Sequence, residues 1–152
     1  MTNTAIGFQI AQLNIARMIA PMDDPIMQDF VDALEPVNAL ADTSPGFVWR
    51  LQDESGDATS IRGFDDPSVL VNLSVWESVD ALKDFVYRSG HLDFLQAKKR
   101  WFKPMSTPHL VLWWVPEGHI PSISEARSRL GSLTLNGPTP EAFTLSQTFG
   151  AA

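Results

Sequence analysis

One stretch, Val69–Trp76 (VLVNLSVW), constrains the fold more than any other part of the sequence. Its apolar residues recur with the period of a β-strand, in which successive side chains point to opposite faces of a sheet. One face is entirely aliphatic and consists of Val69, Val71, Leu73 and Val75. The other face mixes polar and apolar side chains and consists of Leu70, Asn72, Ser74 and Trp76. Because both faces carry large apolar groups, both sides of the sheet that contains this strand must be covered.

The same alternation predicts three further strands, at residues 7–15, 47–51 and 109–115. In the second of them we expect Phe47, Trp49 and Leu51 to share one face. In the third, the neighbouring residues Trp113 and Trp114 must point to opposite faces. One of these two indoles therefore lies in the helix-covered core, and the other lies on the opposite side of the sheet.

Helical spacing predicts the helices that connect these strands. A first helix begins after Asp24, and Pro36 inside its apolar pattern predicts a kink or a restart. A second helix begins after residues 77–78 and continues, beyond an interruption, as a helical piece at residues 89–102. A capping-box sequence predicts a last helix at residues 123–135.

The order of these elements is strand, helix, strand, strand, helix, strand, followed by one more helix. This is the split β-α-β-β-α-β arrangement of ferredoxin-like α+β domains, with four antiparallel strands in one sheet. The length of 152 residues fits one such domain, 1–152, in which residues 136–152 form a tail. A sheet of this kind carries its helices on one face, and here the other face is also apolar. We therefore predict that a second copy of the chain covers that face in a homodimer.

Six segments of the sequence resemble a known family. They are QLNIAR, SPGFVWRL, LVNLSVWESVDAL, FVYRSGHLDFLQAKKRWF, LVLWWVPEGHIP and GPTPEAF. Together they resemble the domain-of-unknown-function family 3291 over nearly the whole chain. That family is similar to a branch of the dimeric α/β-barrel superfamily, which includes antibiotic-biosynthesis monooxygenases. The resemblance implies a ferredoxin-like, dimeric α/β-barrel fold, but superfamily relatives range from cofactor-independent oxygenases of aromatic substrates to haem-binding enzymes and isomerases.

Composition and missing motifs argue against several classes of protein. The net charge of −7 disfavours nucleic acid and anionic membranes as partners. The absence of cysteine excludes disulfides, thiolate metal sites and thiol nucleophiles. The sequence contains no P-loop, no G-x-G-x-x-G and no G-x-S-x-G motif. It also shows no secretory leader and no membrane-spanning apolar run, so we expect a cytoplasmic protein.

His91 is the leading candidate for chemistry. An imidazole titrates near neutral pH, and helical spacing places His91 on one face with Trp101 and Phe102. We expect His91 to act as a general acid or base. Asn14, a polar residue on an otherwise apolar strand, is expected to polarise a substrate oxygen. The expected substrate-binding residues, four aromatic walls and one cation, are Trp49, Trp76, Trp101, Phe102 and Arg17.

Each candidate also has a plain structural explanation. His91 can cap its helix, the tryptophans can be core residues, and Arg17 can form an ion pair with one of the many acids. A buried indole N–H needs a hydrogen-bond acceptor in either case, which Asn14, Asn72 or Ser74 can supply.

Three functions therefore remain open at this stage. The first is a monooxygenase-like enzyme that acts on a hydrophobic or aromatic substrate without an organic cofactor. The second is a dimer that binds a metabolite without chemistry. The third is a haem protein, in which His91 holds the iron. The histidines His91, His109 and His119 lack the spacing of metal ligands, so we expect no metal site.

Overall fold

The computed structural model describes residues 7–21, 23–52, 68–88, 101–103 and 108–151. The described strands are β1 (Phe8–Met18), β2 (Phe47–Arg50), β3 (Val69–Trp76), β4 (Phe102–Lys103) and β5 (Leu110–Pro116). The described helices are α1 (Gln28–Asp42), which follows a 3-10 turn at Pro25–Met27, α2 (Val79–Arg88) and α3 (Ile123–Asn136). None of these helices is long and apolar enough to cross a membrane.

All five described strands form one antiparallel sheet with β1 at its centre. β1 pairs with β3 on one edge, and with β5 and then β4 on the other edge. β2 lies outside β3. The order β2-β3-β1-β5 is that of the ferredoxin-like fold, and β4 continues the line of β5 along β1. The predicted α+β architecture with an added C-terminal helix is confirmed.

Side-chain caps determine where the helical segments begin. The side-chain oxygens of Asp24, Ser78 and Ser122 each accept a hydrogen bond from a backbone N–H of the following turn, at 3.0, 3.1 and 3.0 Å. These bonds satisfy donors that a helix start otherwise leaves unpaired. Pro36 lies inside α1, which continues as one helix, so the restart allowed by the sequence does not occur.

Helices α1 and α2 cover one side of the sheet, which we call the α1/α2 face. Two apolar clusters lie on it. The Trp76 cluster contains the buried residues Ile10, Ala41, Trp76, Val79, Leu82, Phe85, Leu112 and Phe143. The Trp101 cluster contains the buried residues Met18, Met27, Phe30, Leu70 and Trp101. The buried residues of α2, Val79, Leu82 and Phe85, all lie in the first of these clusters.

The opposite side of the sheet, which we call the α3 face, is covered by the last helix of the same chain. Ala126, Leu130 and Leu133 of α3 share one buried cluster with the aliphatic residues of β1, β3 and β5. Trp113 lies on this face with no exposed surface, whereas Trp114 points to the α1/α2 face. The expectation that this face is uncovered is therefore wrong, and it was the physical reason for predicting a homodimer. The homodimer stays a prediction without that support.

The tail after α3 packs along β5 and returns to the α1/α2 face. The backbone of Phe143 makes two hydrogen bonds with that of Leu112, at 2.8 and 2.9 Å. The side chain of Phe143 is completely buried in the Trp76 cluster, and Leu145 and Phe149 pack against it. Trp114 Nε1 donates to the carbonyl oxygen of Phe149 at 2.7 Å. The tail therefore covers the outer edge of β5 and belongs to the core.

A β-bulge in β2 overturns the predicted face of one aromatic residue. The register shifts between Phe47, which pairs with Trp76, and Trp49, which pairs with Val75. Because a bulge inserts one unpaired residue, it reverses the alternation of the side chains. Phe47 packs in the Trp76 cluster, whereas Trp49 packs with Leu51 against the α3-face cluster.

The predicted helical piece at 89–102 is wrong at its C-terminal end. Trp101 lies in a turn, and Phe102 lies in β4, where it pairs with Met18 of β1. The backbone amide of Ile19 donates to the carbonyl oxygen of Trp101 at 2.9 Å. Pairing with the free edge of β1 thus overrides the helical spacing of these two aromatic residues. Residues 89–100 lie outside the described ranges.

A polar group at the start of α3 links this helix to the sheet. Trp113 Nε1 donates to Glu125 Oε2 at 2.8 Å, and His119 Nε2 lies 2.7 Å from Glu125 Oε1. Burial raises the pKa of Glu125, but the hydrogen bonds from His119 and Trp113 and the positive charge of Arg129 lower it by more. The net pKa of Glu125 therefore lies below its ordinary value.

This shift predicts an acid-dependent loss of stability. The pKa of Glu125 is lower in the folded than in the unfolded chain. Its carboxylate therefore contributes its full stabilisation of the fold at pH values above the ordinary pKa of 4.5. The contribution disappears as the pH falls through the folded-state pKa. We expect the difference in Tm between wild type and Glu125→Gln to shrink as the pH is lowered from about 6 to about 3. Glu117→Gln, which removes an exposed carboxylate outside this group, is the control, and a difference that persists unchanged in acid contradicts the prediction.

Candidate functional site

A polar band divides the α1/α2 face of the sheet. On β3, Trp76 belongs to one apolar cluster and Leu70 to the other. On β1, the same division separates Ile10 from Met18. Four polar residues lie between the clusters: Gln12 and Asn14 on β1, and Asn72 and Ser74 on β3. A rise of about 3.4 Å per residue places Trp76 and Leu70 roughly 20 Å apart, which leaves room for a small molecule over the band.

The band is open to solvent at one point. Asn72 is exposed; it pairs with Asn14 of β1, whereas β2 pairs with β3 only at Ser74–Trp76. Asn14, directly opposite on β1, is half-buried, whereas Gln12 and Ser74 are only 5% and 6% exposed. Among the described residues, none packs over the sheet at this point. We therefore take the open surface around Asn72 and Asn14, between the two apolar clusters, as the candidate site and call it the cleft.

Hydrogen bonds fix the orientation of the polar side chains. Gln12 Nε2 donates to Asn72 Oδ1 at 2.6 Å and to Ser74 Oγ at 2.8 Å. It also lies 3.3 Å from the backbone carbonyl oxygen of Asn72, which can only accept a hydrogen bond. At the other end of the group, Trp76 Nε1, which can only donate, bonds to Ser74 Oγ at 2.9 Å. The contact with the carbonyl oxygen of Asn72 decides that the Gln12 atom is nitrogen, and Asn72 therefore turns its amide oxygen towards Gln12.

The cleft consequently presents hydrogen-bond donors. Since Asn72 Oδ1 accepts from Gln12, the Nδ2 group of Asn72 points away from Gln12. In the part of the chain that the structure describes, Asn72 Nδ2 has no hydrogen-bond partner, and neither has the side chain of Asn14. An amide N–H beside apolar residues can stabilise negative charge that develops on an oxygen atom of a bound molecule.

The two tryptophans beside the cleft are rigidly packed. Trp76 is 1% exposed; it stacks on Phe85 with ring centroids 5.2 Å apart and meets Phe47 edge-on at 5.4 Å. Trp101 is 3% exposed and packs against Phe30 at 5.6 Å. Both indoles therefore support the walls of the cleft and present little surface of their own.

Comparison with known proteins identifies the family. The profile of the domain of unknown function DUF3291 matches residues 9–152.

The chain belongs to the DUF3291 family. Among curated proteins, none matches it.

Several solved structures are similar to this DUF3291 protein at a distance. PA3566 from Pseudomonas aeruginosa is 12% identical, with a TM-score of 0.49 over 76% of this chain and 99% of that chain. SnoaB, a cofactor-independent oxygenase from Streptomyces nogalater, is 17% identical, with a TM-score of 0.48 over 75% and 98%. A candidate antibiotic-biosynthesis monooxygenase from Nitrosomonas europaea is 14% identical, with a TM-score of 0.45 over 75% and 91%. At these values no activity or ligand is transferred to the DUF3291 chain.

The structure brings some of the predicted site residues together on the α1/α2 face. Asn14 lies on the cleft floor, and Trp76, Trp101 and Phe102 belong to the two clusters that flank it. Phe102 is half-buried and meets Phe30 edge-on, with ring centroids 5.0 Å apart. His91 lies outside the described residues.

Two other predicted residues lie on the α3 face. Arg17 pairs with Val69 and therefore points to the opposite side of β1 from Asn14. Trp49 packs against the α3-face cluster because of the bulge in β2. Neither side chain shares a face with the cleft, so the predicted grouping of Arg17 and Trp49 with Asn14 and Trp76 is not what the structure has.

Sequence reasoning assigned no site role to Gln12, Asn72 and Ser74. The signal was present, because both inner strands carry polar residues two positions apart on one face. The sequence allows Asn72 and Ser74 either to accept from an indole or to turn towards a ligand, and Ser74 does accept from Trp76. The missing information was the register that places Asn14 opposite Asn72 and Gln12 opposite Ser74.

The described histidines do not contribute to the cleft. His109 is exposed just before β5, and His119 contacts Glu125 at the start of α3. Within the described ranges, no group of three His, Asp or Glu residues is placed to hold a metal ion. Neither described histidine is therefore placed for acid–base chemistry at this cleft.

Proposed function

We propose that the chain binds a small hydrophobic or aromatic molecule in the cleft on the α1/α2 face and oxidises it without an organic cofactor or metal. The observation that supports this most is the exposed Asn72 between the two apolar clusters, whose amide is held by Gln12 at 2.6 Å. Apolar walls on both sides favour a ring system, and the amide donors favour an oxygen on that ring.

In such a reaction the substrate supplies the electrons. A base removes a proton from an electron-rich CH₂ group next to an aromatic carbonyl, and His91 is the proposed base. Asn72 and Asn14 donate hydrogen bonds to the enolate oxygen that forms. Molecular oxygen adds to the carbon, and the resulting hydroperoxide loses water to give a second carbonyl. One oxygen atom remains in the product and the other leaves as water, so no external reductant is needed.

Substitution of Asn72 tests this proposal. Electron-rich aromatic ketones with an adjacent CH₂ group would be screened for oxygen consumption with an electrode. For any substrate found, we expect Asn72→Ala to lower kcat about 100-fold, because one donor to the developing oxyanion is lost. The fold should be unaffected, since Asn72 is exposed.

The control for that experiment is Asn136→Ala, which removes an exposed asparagine at the end of α3. Turnover that survives in Asn72→Ala contradicts the role of this amide. Turnover that survives in His91→Ala contradicts the role of His91 as the base, but it does not contradict the proposed binding site.

A binding protein without catalysis is the second candidate function. The buried, fixed network behind Asn72 would hold a metabolite as well as a substrate, and it favours this alternative equally. Saturable binding with no oxygen consumption for any ligand would select it.

A haem protein is the third candidate function, and it depends on His91 alone, since the described histidines lie elsewhere. A purified sample with no Soret band before and after addition of haemin would remove it.

A further inference from the structure

We infer that Gln12 is a positioning residue that determines which end of the Asn72 amide faces the cleft. The inference rests on the proposed function and deepens it, because it defines the ligand: a neutral aromatic molecule with a hydrogen-bond-accepting oxygen. Molecules that offer an N–H or O–H donor at the same position would be selected against.

The side-chain orientation of an exposed asparagine is ambiguous. Its amide carries two donors on one side and an acceptor on the other, and in water it can present either. Asn72 is exposed, so packing does not decide its orientation. Its single described side-chain hydrogen bond, from Gln12 Nε2 at 2.6 Å, does decide it.

Gln12 cannot reverse this bond. It is only 5% exposed, and its Nε2 lies among three oxygens: Asn72 Oδ1, Asn72 O and Ser74 Oγ. If the Gln12 amide turned over, its oxygen would meet the main-chain carbonyl of Asn72, which has no hydrogen to donate. The sheet backbone therefore fixes the direction of Gln12, and Gln12 fixes the direction of Asn72.

Gln12 needs no contact with the ligand to select it. An acceptor oxygen on the ligand pairs with Asn72 Nδ2, whereas a donor group would face that N–H and leave both unpaired in a mostly apolar site. Loss of one hydrogen bond together with an unpaired polar group reduces binding about tenfold or more.

Two probes of similar size separate these cases. 1-Indanone carries a carbonyl acceptor and no donor, whereas indole carries an N–H donor and no comparable acceptor. Dissociation constants would be measured by ligand-observed NMR titration at constant pH. For wild type we expect 1-indanone to bind about tenfold more tightly than indole.

The decisive variant is Gln12→Met, which keeps an unbranched side chain and removes the donor. The Asn72 amide can then turn, and the preference for 1-indanone should fall to within about twofold. Asn72→Ala provides the same test at an exposed position, where folding is not at risk, and should also abolish the preference. Gln147→Met, an exposed glutamine of the tail, is the matched control and should retain it.

The possible outcomes are distinct. A preference that persists in Gln12→Met overturns the inference. Weaker binding of both probes by the same factor also overturns it, because Gln12 would then only support the fold. If both probes bind wild type equally, the proposed binding site is supported, but the inference about Gln12 is wrong. If neither probe binds wild type at millimolar concentration, the proposed function itself is wrong, and the inference falls with it.

Discussion

Trp76→Ala is expected to lower the free energy of unfolding by about 3–5 kcal/mol, the range for removing a buried tryptophan. The side chain is 1% exposed and lies between the rings of Phe47 and Phe85. Its removal leaves a large cavity under α2 and also removes one of the two hydrogen-bond donors to Ser74 Oγ. Urea denaturation followed by circular dichroism measures the change.

Two further variants sharpen this prediction. Trp76→Phe keeps most of the ring packing and loses the hydrogen bond to Ser74, so a cost of about 1–2 kcal/mol is expected. Tyr87→Ala removes an aromatic residue of α2 that is 54% exposed, and it should cost less than about 1 kcal/mol. If Trp76→Ala costs no more than Tyr87→Ala, Trp76 is the surface of an open pocket instead of a core residue.

Leu133→Ala is expected to lower the free energy of unfolding by about 2–5 kcal/mol. Leu133 of α3 is 3% exposed and packs against the aliphatic residues of the α3 face. Alanine is the best helix former, so the loss comes from packing and not from the helix itself. The chain offers a matched control two positions along the same helix. Leu135 is 84% exposed, and Leu135→Ala should change stability by no more than about 0.5 kcal/mol.

This pair of variants also bears on self-association. If α3 covers the sheet in solution, Leu133→Ala destabilises the chain at every protein concentration, with no dependence on assembly. If a second copy covers the sheet instead, the two leucine variants should behave alike, and sedimentation velocity should show a dimer. Equal effects of Leu133→Ala and Leu135→Ala would therefore contradict the packing of α3 described here. A homodimer that forms through another surface remains compatible with the expected result.

The sequence predicted the architecture well because strands and helices have different periods. Val69–Trp76 was recognised as a strand from its alternation, and the order of elements then led to the ferredoxin-like fold. The caps Asp24 and Ser122 marked two helix starts for the same local reason. The sequence could not show that α3 folds back on the sheet, because an amphipathic helix fits either its own domain or a partner.

The site was predicted less well because it depends on register. Alternation assigns each residue of a strand to a face, but a single inserted residue reverses that assignment, as it does between Phe47 and Trp49. Arg17 was grouped with Asn14 because the predicted strand ended at residue 15. The observed β1 continues to Met18, so Arg17, three positions after Asn14, points to the opposite face. The importance of Asn72 could be recognised only when β1 was known to pair with β3 in the observed register.

The position of the tail has a consequence for how the protein is made. β5 pairs with β1 on one side, and its other edge is completed by Phe143, which follows every described helix and strand. At about 5–20 residues per second, the outer edge of β5 stays open for roughly 1–5 seconds after β5 itself is synthesised. The Trp76 cluster lacks the buried ring of Phe143 for that time, so the nascent chain is expected to engage chaperones until this segment emerges.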